Sequence, residues 1–252
     1  MAVVFSQQKG DTLYEIRTAG RSVRMYTNRV LHTQYNPGHA VTGGVWDLLA
    51  LPALALPQVK RVLMLGVGGG AAMHLLREWC PGVHITGIEL NPVHLQLARR
   101  FFDLKGRDLT LVQGDARLFV EQYDGEPFDL VMEDIFSGSD GEPDRVFPAD
   151  NAWCKALGRV VNERGALVMN TVSRKQLRET AFVQDGSVRK HWGAQIGMSM
   201  PHYANAVGAF FRQPVTLSDF RMAIRADLKR QRQERAGLLR FNLSLLSPAP
   251  EK

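Results

Sequence analysis

The sequence predicts an α/β protein built on a doubly wound, mainly parallel sheet of the Rossmann-like type. From residue 45 to about 140, strand-like apolar runs alternate with segments of helical periodicity. The first of these strands runs into a glycine-rich turn in "RVLMLGVGGGAAMHLL", residues 61–76. Strands that alternate with helices pair in parallel, because each crossover helix returns the chain to the same end of the sheet.

A small antiparallel β unit is predicted ahead of the sheet. Residues 13–35 alternate in short runs, with candidate turns at Ala19-Gly20 and Asn28-Arg29. The apolar period then predicts, in order, helix 45–55, strand 61–66, helix 70–79, strand 84–89, helix 91–102, strand 109–112, helix 115–122 and strand 128–133.

The second half of the chain completes the sheet. Helical spacing of apolar residues over 150–163 precedes the strand "ALVMNTV", and "GAQIGMSMP" and "NAVGAFFRQ" then predict a C-terminal antiparallel hairpin. We therefore expect three units: a small N-terminal β unit at 1–44, an α/β domain at 45–215, and a basic C-terminal helix and tail at 216–252.

The positive charge is concentrated near the C-terminus. The net charge is +6, and residues 221–240 hold seven basic residues against two acidic ones, which leaves about +1 for the rest. Phe220, Ile224 and Leu228 recur there at helical spacing, which predicts one amphipathic helix with a basic outer face. We interpret this face as solvated, with contact to phosphate or a partner protein as the alternative, and expect no nucleic-acid ligand.

Composition indicates a cytoplasmic protein without a membrane partner. The longest apolar stretch, residues 45–57, is interrupted by Asp47 and two prolines, and the first residues lack the order of a signal peptide. Cys80 and Cys154 lie in unrelated contexts, so we expect two ordinary buried thiols and no metal site.

Carboxylates follow the glycine turn at successive strand ends. Glu89, in "ITGIELNP", is placed to accept both hydroxyls of a ribose. Asp115, in "LVQGDARLF", can receive the amino group of adenine beside a backbone N–H, and Asp134, in "FDLVMEDIFSGSD", follows the fourth strand above the same crevice. Together they predict a site for S-adenosylmethionine (SAM).

Each of these features has an alternative reading. The turn also meets the fingerprint of nicotinamide-nucleotide proteins. Glu89 could cap the helix that begins near Asn91, Asp115 could be the N-cap of the next helix, and Asp134 could be a turn residue.

The run "RVLMLGVGGG…ITGIELNP…LTLVQGDARLF…FDLVMEDIFSGSDGEPDRVF" resembles the spermidine synthase family of class I methyltransferase-like proteins, over roughly residues 24 to 215. The resemblance implies that Gly66, Gly68 and Gly69 line the methionine-derived part of the cofactor, Glu89 holds the ribose, and Asp115 with Ala116 holds the adenine. Asp134 would orient an attacking amine and take its proton, while residues 135–150 would close as a lid. A β unit of this type also supports homodimers in the family.

This sequence departs from the family pattern at residues that would determine which group is transferred and to which acceptor. The resemblance puts Gly69 where the family carries an aspartate that disfavours the carboxylate of intact SAM, and Ser137 where a second aspartate helps to hold a polyamine. His32 stands at the family's glutamine, as a candidate substrate contact, and Gly44 falls near its substrate tyrosine. A polyamine thus loses two carboxylate partners unless Glu133 or Asp140 replaces them.

Three hypotheses follow. The first is a transferase that uses intact SAM to methylate a small acceptor, such as an amine. The second is an aminopropyltransferase that uses decarboxylated SAM and an altered amine. The third is a non-catalytic SAM-fold module that binds a partner through its basic helix.

Overall fold

Three sheets organise the part of the protein that the structure describes. The computed structural model describes residues 1–139 and 142–246, and residues 137–139 and 142–144 by their backbone alone. The strands are β1 Ala2–Lys9, β2 Thr12–Ala19, β3 Ser22–Thr27, β4 Val30–Tyr35, β5 Arg61–Leu65, β6 His84–Glu89, β7 Leu109–Gln113, β8 Phe128–Glu133, β9 Phe136–Ser139, β10 Glu142–Arg145, β11 Val161–Thr171, β12 Ala194–Ser199, β13 Ala206–Phe211 and β14 Asn242–Leu245.

Helices connect most of these strands. They are α1 Val45–Ala50 with a 3-10 turn Leu51–Ala55, α2 Ala71–Trp79, α3 Pro92–Phe101, α4 Ala116–Gln122, α5 Asn151–Arg159, α6 Arg174–Glu179, α7 Ala181–Gln184, α8 Gly186–Arg189, α9 Leu217–Arg225 and α10 Leu228–Arg235. None of the helices within the described ranges is long and apolar enough to cross a membrane.

The large sheet has the order β14-β12-β13-β11-β8-β5-β6-β7. Strands β11, β8, β5, β6 and β7 pair in parallel, and β13, β12 and β14 add antiparallel pairs at one edge. The predicted α/β class and the C-terminal hairpin are therefore confirmed. The strand order reverses between β5 and β8, and in such sheets ligands bind beyond the carboxyl ends of the strands at this switch point.

Both faces of the large sheet are buried, which explains its continuous apolar strands. In β5, Val62 and Met64 contribute to the core beneath α1 and α2, whereas Leu63 and Leu65 contribute to the core beneath α4 and α5. Because successive side chains of a strand point to opposite faces, one apolar strand supplies both cores. The carboxyl end of β5 is thereby held rigidly beside β8.

The N-terminal sheet has the order β1-β2-β3-β4 and is antiparallel, as predicted for residues 13–35. Asn28 and Arg29 adopt positive φ at the predicted turn between β3 and β4. Strand β1 was not predicted, because seven of its eight residues are exposed and show no alternation. Buried residues of this sheet pack on α3 and on Phe102 directly after it.

The C-terminal prediction of one amphipathic helix is wrong in detail. Asp227 accepts hydrogen bonds from the N–H groups of Lys229 and Arg230 and caps α10, so the chain forms two helices. Leu228, expected on the apolar face, is 67% exposed, and Arg230 is buried instead over the ring of Trp79. Strand β14, too short to predict, then pairs with β12. The proposed boundaries between the three units stay predictions.

The segment after β8 was predicted to be a loop that closes as a lid, but β9 and β10 pair in it as a short hairpin. We term it the lid hairpin after this predicted role, which stays a prediction. Backbone pairing needs no apolar period, so the sequence pattern did not reveal it. Helix α5 ends at Arg159, and Val161, which the apolar spacing assigned to that helix, begins β11.

Candidate active site

A glycine turn, residues 66–70, links β5 to α2 at the switch point. Gly66, Gly68 and Gly70 have positive φ. A Cβ atom on Gly66 would lie 2.2 Å from the backbone oxygen of Asp134, so this position admits only glycine. The turn therefore packs against the backbone of Asp134, and the predicted shared crevice stays a prediction.

The N–H groups of this turn are engaged within the protein. Those of Val67 and Gly68 donate to Glu89 Oε2 at 3.0 Å, and that of Gly69 donates to Thr33 Oγ1 at 2.7 Å. The two remaining N–H groups donate to backbone carbonyls. All five N–H groups of the turn therefore already have acceptors within the protein. A ligand beside it would meet Cα atoms and carbonyl groups.

Glu89 is 8% exposed and braces this arrangement. Its Oε1 accepts from the N–H of Asn91 at 2.9 Å and lies 3.7 Å from His94 Nδ1. Burial opposes ionisation, but His94 and the backbone donors hold the pKa of Glu89 below its ordinary value. An ionised carboxylate has roughly four acceptor positions, so three backbone donors leave it about one more. Glu89 therefore holds the glycine turn in place, and its contact with a ribose, which stays a prediction, would use the remaining acceptor position.

Asp115 is the N-cap of α4. Its Oδ1 accepts from the N–H groups of Arg117 and Leu118 at 2.7 and 3.0 Å. The capping role that the sequence left open for this residue is present in the structure, and both of these bonds use the same oxygen. Ala116 follows as the first residue of α4 and is nearly buried. Their role toward adenine stays a prediction.

Asp134 directly follows β8 and is partly buried. Asn170 Nδ2 donates to its Oδ1 at 2.8 Å, and Asn170 Oδ1 in turn accepts from Asn205 Nδ2 at 3.2 Å. Desolvation raises the pKa of Asp134 to about 6, although the Asn170 hydrogen bond opposes the shift. The carboxylate is therefore oriented and has a pKa close to that of an effective general base.

Sequence reasoning missed Asn170 and Asn205. Asn170 lies near the carboxyl end of β11, and Asn205 directly precedes β13. Asp134 was selected because it follows a strand of the parallel sheet, and the same criterion, applied to polar residues near the ends of strands, could also have found Asn170. From the same β12–β13 connection, the Tyr203 hydroxyl comes 3.2 Å from where a Cβ on Gly44 would lie. The structure thus brings Tyr203 close to Gly44, the position near which the family pattern has its substrate tyrosine.

Glu133 is not available to an amine. Its carboxylate is fully buried and forms a bidentate pair with Arg145 of the lid hairpin, at 2.7 and 2.8 Å. Arg145 also donates to the backbone oxygen of Asn170 at 2.6 Å. The suggestion that Glu133 replaces a missing carboxylate is therefore corrected, because its charge is already neutralised. The pair instead anchors the lid hairpin beside Asp134.

His32 lies on β4 near the turn, partly buried beside His94, with ring centroids 4.8 Å apart. Burial and the neighbouring His94 lower the pKa of His32 to about 4. It is therefore neutral at physiological pH and can serve as a polar contact. The next residue, Thr33, was missed by the sequence analysis because a lone threonine in a strand carries no signal of a ligand or a loop contact.

Two candidate residues stay predictions. The side chain of Ser137 and the whole of Asp140 lie outside the described residues. Within the described ranges, no group of three His, Cys, Asp or Glu residues is arranged to hold a metal ion. Both cysteines are free thiols, and burial raises the pKa of Cys80 to about 11 and that of Cys154 to about 12.

Comparison with known proteins places this arrangement in a family. Residues 58–212 match the family described as a methyltransferase domain. The chain belongs to this family. Its methyltransferase domain contains the glycine turn, Glu89, Asp115 and Asp134, while the N-terminal sheet lies outside the matched residues.

Relatives of the methyltransferase domain fall into two reaction classes. A polyamine aminopropyltransferase of Vibrio vulnificus is 30% identical over 124 residues, 48% of this chain and 40% of that protein. An eEF1A lysine and N-terminal methyltransferase homolog of Drosophila pseudoobscura is 27% identical over 132 residues, 49% of this chain and 19% of that protein. The chain thus matches less than half of either relative.

The fold is that of spermidine synthases. The crystal structure of a probable spermidine synthase from Corynebacterium glutamicum superposes with a TM-score of 0.73 at 14% identity, and the match covers 100% of this chain and 98% of that one. The resemblance stated from the sequence is thereby confirmed at the level of a spermidine-synthase-like fold.

Proposed function

We propose that this protein is a transferase that uses intact SAM to methylate a small amine. The observation that carries the proposal is the close packing of Gly66 against the backbone of Asp134, so that this residue, whose carboxyl group has a raised pKa, lies next to the glycine turn. The relatives from Vibrio vulnificus and Drosophila pseudoobscura are named as transferases, one of aminopropyl groups and one of methyl groups.

The residues present fit such a cofactor. Gly66 leaves a bare Cα where any side chain would collide with Asp134. Glu89 stays ionised beside the turn and keeps acceptor capacity for a ribose hydroxyl. When bound, SAM supplies a methyl carbon open to displacement by a nucleophile. We assign the nucleoside to Glu89, Asp115 and Ala116, and the methionine portion to the glycine turn.

Asp134 prepares the acceptor. Displacement at carbon needs a neutral amine, because an ammonium nitrogen has no free electron pair. The amine nitrogen forms the new bond to carbon, the carbon–sulfur bond breaks with its electron pair remaining on sulfur, and Asp134 takes the amine proton. Asn170 holds the carboxylate in position, and the lid hairpin, anchored by Arg145, excludes water.

The assignment of intact SAM rests on the absence of a carboxylate at Gly69 and on the space around this residue. A Cβ atom there would lie 2.8 Å from Thr33 Cγ2 and 3.1 Å from Phe102 Cδ1. An aspartate like that of the spermidine synthase pattern would therefore require Thr33 to move. Without that negative charge, nothing at this position repels the carboxylate of intact SAM.

The choice of a small amine rests on Glu133. Because Arg145 neutralises Glu133, Asp134 is the carboxylate that we assign to the acceptor. A polyamine with several positive charges would need further partners. Aminopropyl transfer from decarboxylated SAM remains the second candidate, favoured by the polyamine aminopropyltransferase relatives and by Asp134 itself.

Calorimetry with three ligands tests the proposal. We expect SAM to bind at least as tightly as decarboxylated SAM, because no negative charge at Gly69 repels its carboxylate. Methylthioadenosine, which lacks the amino acid portion, reports the contribution of the nucleoside. Tighter binding of decarboxylated SAM would favour aminopropyl transfer. Failure of all three to bind would refute a transferase and favour an interaction module.

A further inference from the structure

A cavity lies beside α5, away from the glycine turn. Its volume is about 680 Å³. Ala156, Val188 and Trp192 contribute apolar surface, and Lys155, Arg159 and Arg212 contribute positive charge. It shares no lining residue with the candidate active site, so the transfer reaction does not account for it.

The cavity carries positive charge without a matching carboxylate. Among residues 1–136 and 145–246, whose side chains the structure describes, Lys155, Arg159 and Arg212 form no salt bridge within 4.0 Å. Glu121 also lines the cavity, but it is paired with Arg117 at 3.0 Å. The local charge therefore favours an anion.

Arg212 is held in place before any ligand arrives. Its guanidinium lies 4.3 Å from the centre of the Trp192 ring and donates to the Gly158 carbonyl at 2.6 Å and the His191 carbonyl at 3.1 Å. Its buried Nε has no hydrogen-bond partner among the described residues. Such a fixed cation loses little conformational entropy on binding an anion.

The apolar surface is equally rigid. Trp192 packs edge-on against Phe182 with centroids 5.5 Å apart, and Phe182 stacks on Phe210 at 4.3 Å. Val188 and Trp192 are buried in the same core that supports α5. A bare inorganic anion would leave this surface unused, whereas an apolar chain would cover it.

We propose that this cavity binds a small amphipathic anion, namely a carboxylate with an apolar chain. The carboxylate lies among Lys155, Arg159 and Arg212, and the chain lies on Ala156, Val188 and Trp192. The volume falls within the roughly 300–1,000 Å³ typical of small-molecule sites, and a mainly apolar lining with a few polar groups is typical of them. This site is independent of the proposed methyl transfer.

Titration calorimetry with decanoate, kept below its micelle concentration, tests the proposal. We expect saturable binding of one decanoate, and at least about tenfold weaker binding of decylammonium, which has the same chain and the opposite charge. The double variant Lys155→Gln/Arg159→Gln should weaken decanoate binding at least about tenfold. Ala156→Phe, which fills the cavity without changing its charge, should abolish decanoate binding.

The matched control is Lys175→Gln/Arg178→Gln, which removes two exposed cations from α6 and should leave decanoate affinity within about twofold. Equal binding of decanoate and decylammonium, absence of saturable binding to the wild type, or equal loss in both double variants would overturn the proposal. Sedimentation measures the oligomeric state of the wild type and of Ala156→Phe. If the wild type self-associates and the variant does not, the cavity is an interface between copies of the chain and the proposal is wrong. The wild-type comparison of the two ligands stands even where a variant fails to fold.

Discussion

Asp134→Asn separates a catalytic role for Asp134 from a structural one. The substitution preserves the shape of the side chain and an oxygen that can accept from Asn170 Nδ2, 2.8 Å away in the structure. It removes the negative charge, and with it the ability to take a proton from an amine. If Asp134 is the general base, turnover should fall by about 10²–10⁴-fold while cofactor affinity changes far less.

The raised pKa of Asp134 gives this prediction a pH signature. With a pKa of about 6, half of the wild-type carboxylates are ionised at pH 6. Turnover of the wild type should therefore decline below neutrality and reach about a tenth of its plateau at pH 5. The residual activity of the Asn variant should lack this decline, because no titrating base remains at the site.

Asp134→Asn should stabilise the folded protein, although it lowers turnover. The pKa of Asp134 rises from an ordinary value of 3.8 to about 6 on folding, so the native state binds the proton more tightly than the unfolded chain. The stabilisation from the protonated form is complete below about pH 4 and is lost as the pH rises through 6. Since the side chain is partly solvent-accessible, we expect Asp134→Asn to raise the free energy of unfolding at pH 8 by about 1–3 kcal/mol.

The assay begins with a screen of amines against labelled SAM and labelled decarboxylated SAM to find an acceptor. Turnover is then measured from pH 5 to 9, cofactor affinity by calorimetry, and unfolding by denaturant. The control is Asp129→Asn at the opposite end of β8, where the carboxylate accepts from backbone N–H groups. Turnover of Asp134→Asn within about threefold of the wild type would show that Asp134 is a structural turn residue and would refute the mechanism.

Three further predictions concern the surroundings of the site. Glu89→Ala should weaken cofactor binding at least about tenfold in calorimetry, because the ribose and the buried N–H groups of the turn lose a shared acceptor; unchanged affinity in a folded variant would exclude Glu89 from the site. Arg145→Met should lower the free energy of unfolding, measured in urea, by about 3–5 kcal/mol, since the buried Glu133 would lose its compensating positive charge. Glu133→Leu in the same chain should restore much of this stability, and a loss below about 1 kcal/mol for Arg145→Met would contradict the prediction. Reversing Arg225 and Lys229 to Glu should leave cofactor affinity unaltered, and its collapse in a folded protein would connect the basic helices to the site.

The sequence alone was sufficient for the strands and helices of the parallel part of the sheet and for the order of the candidate residues along it. Strands β6 and β8 were predicted to the residue, because their apolar runs are bounded by turns and by charged or polar residues. The glycine turn, Glu89 and Asp134 were selected as candidates because a parallel sheet brings the carboxyl ends of its strands to one edge. Periodicity and connection length are local properties, so one sequence can reveal them.

Only the tertiary structure decided which groups meet. Thr33 caps the N–H of Gly69 from 36 residues away, and Arg145 neutralises a glutamate that the sequence left available for an amine. Asn170 orients Asp134 from a different strand. No local pattern encodes such contacts, because they depend on how separate elements pack. The glycines of the turn were readable from the sequence, but the residues that accept from four of its five N–H groups, Thr33, Ile88 and Glu89, come from other parts of the fold.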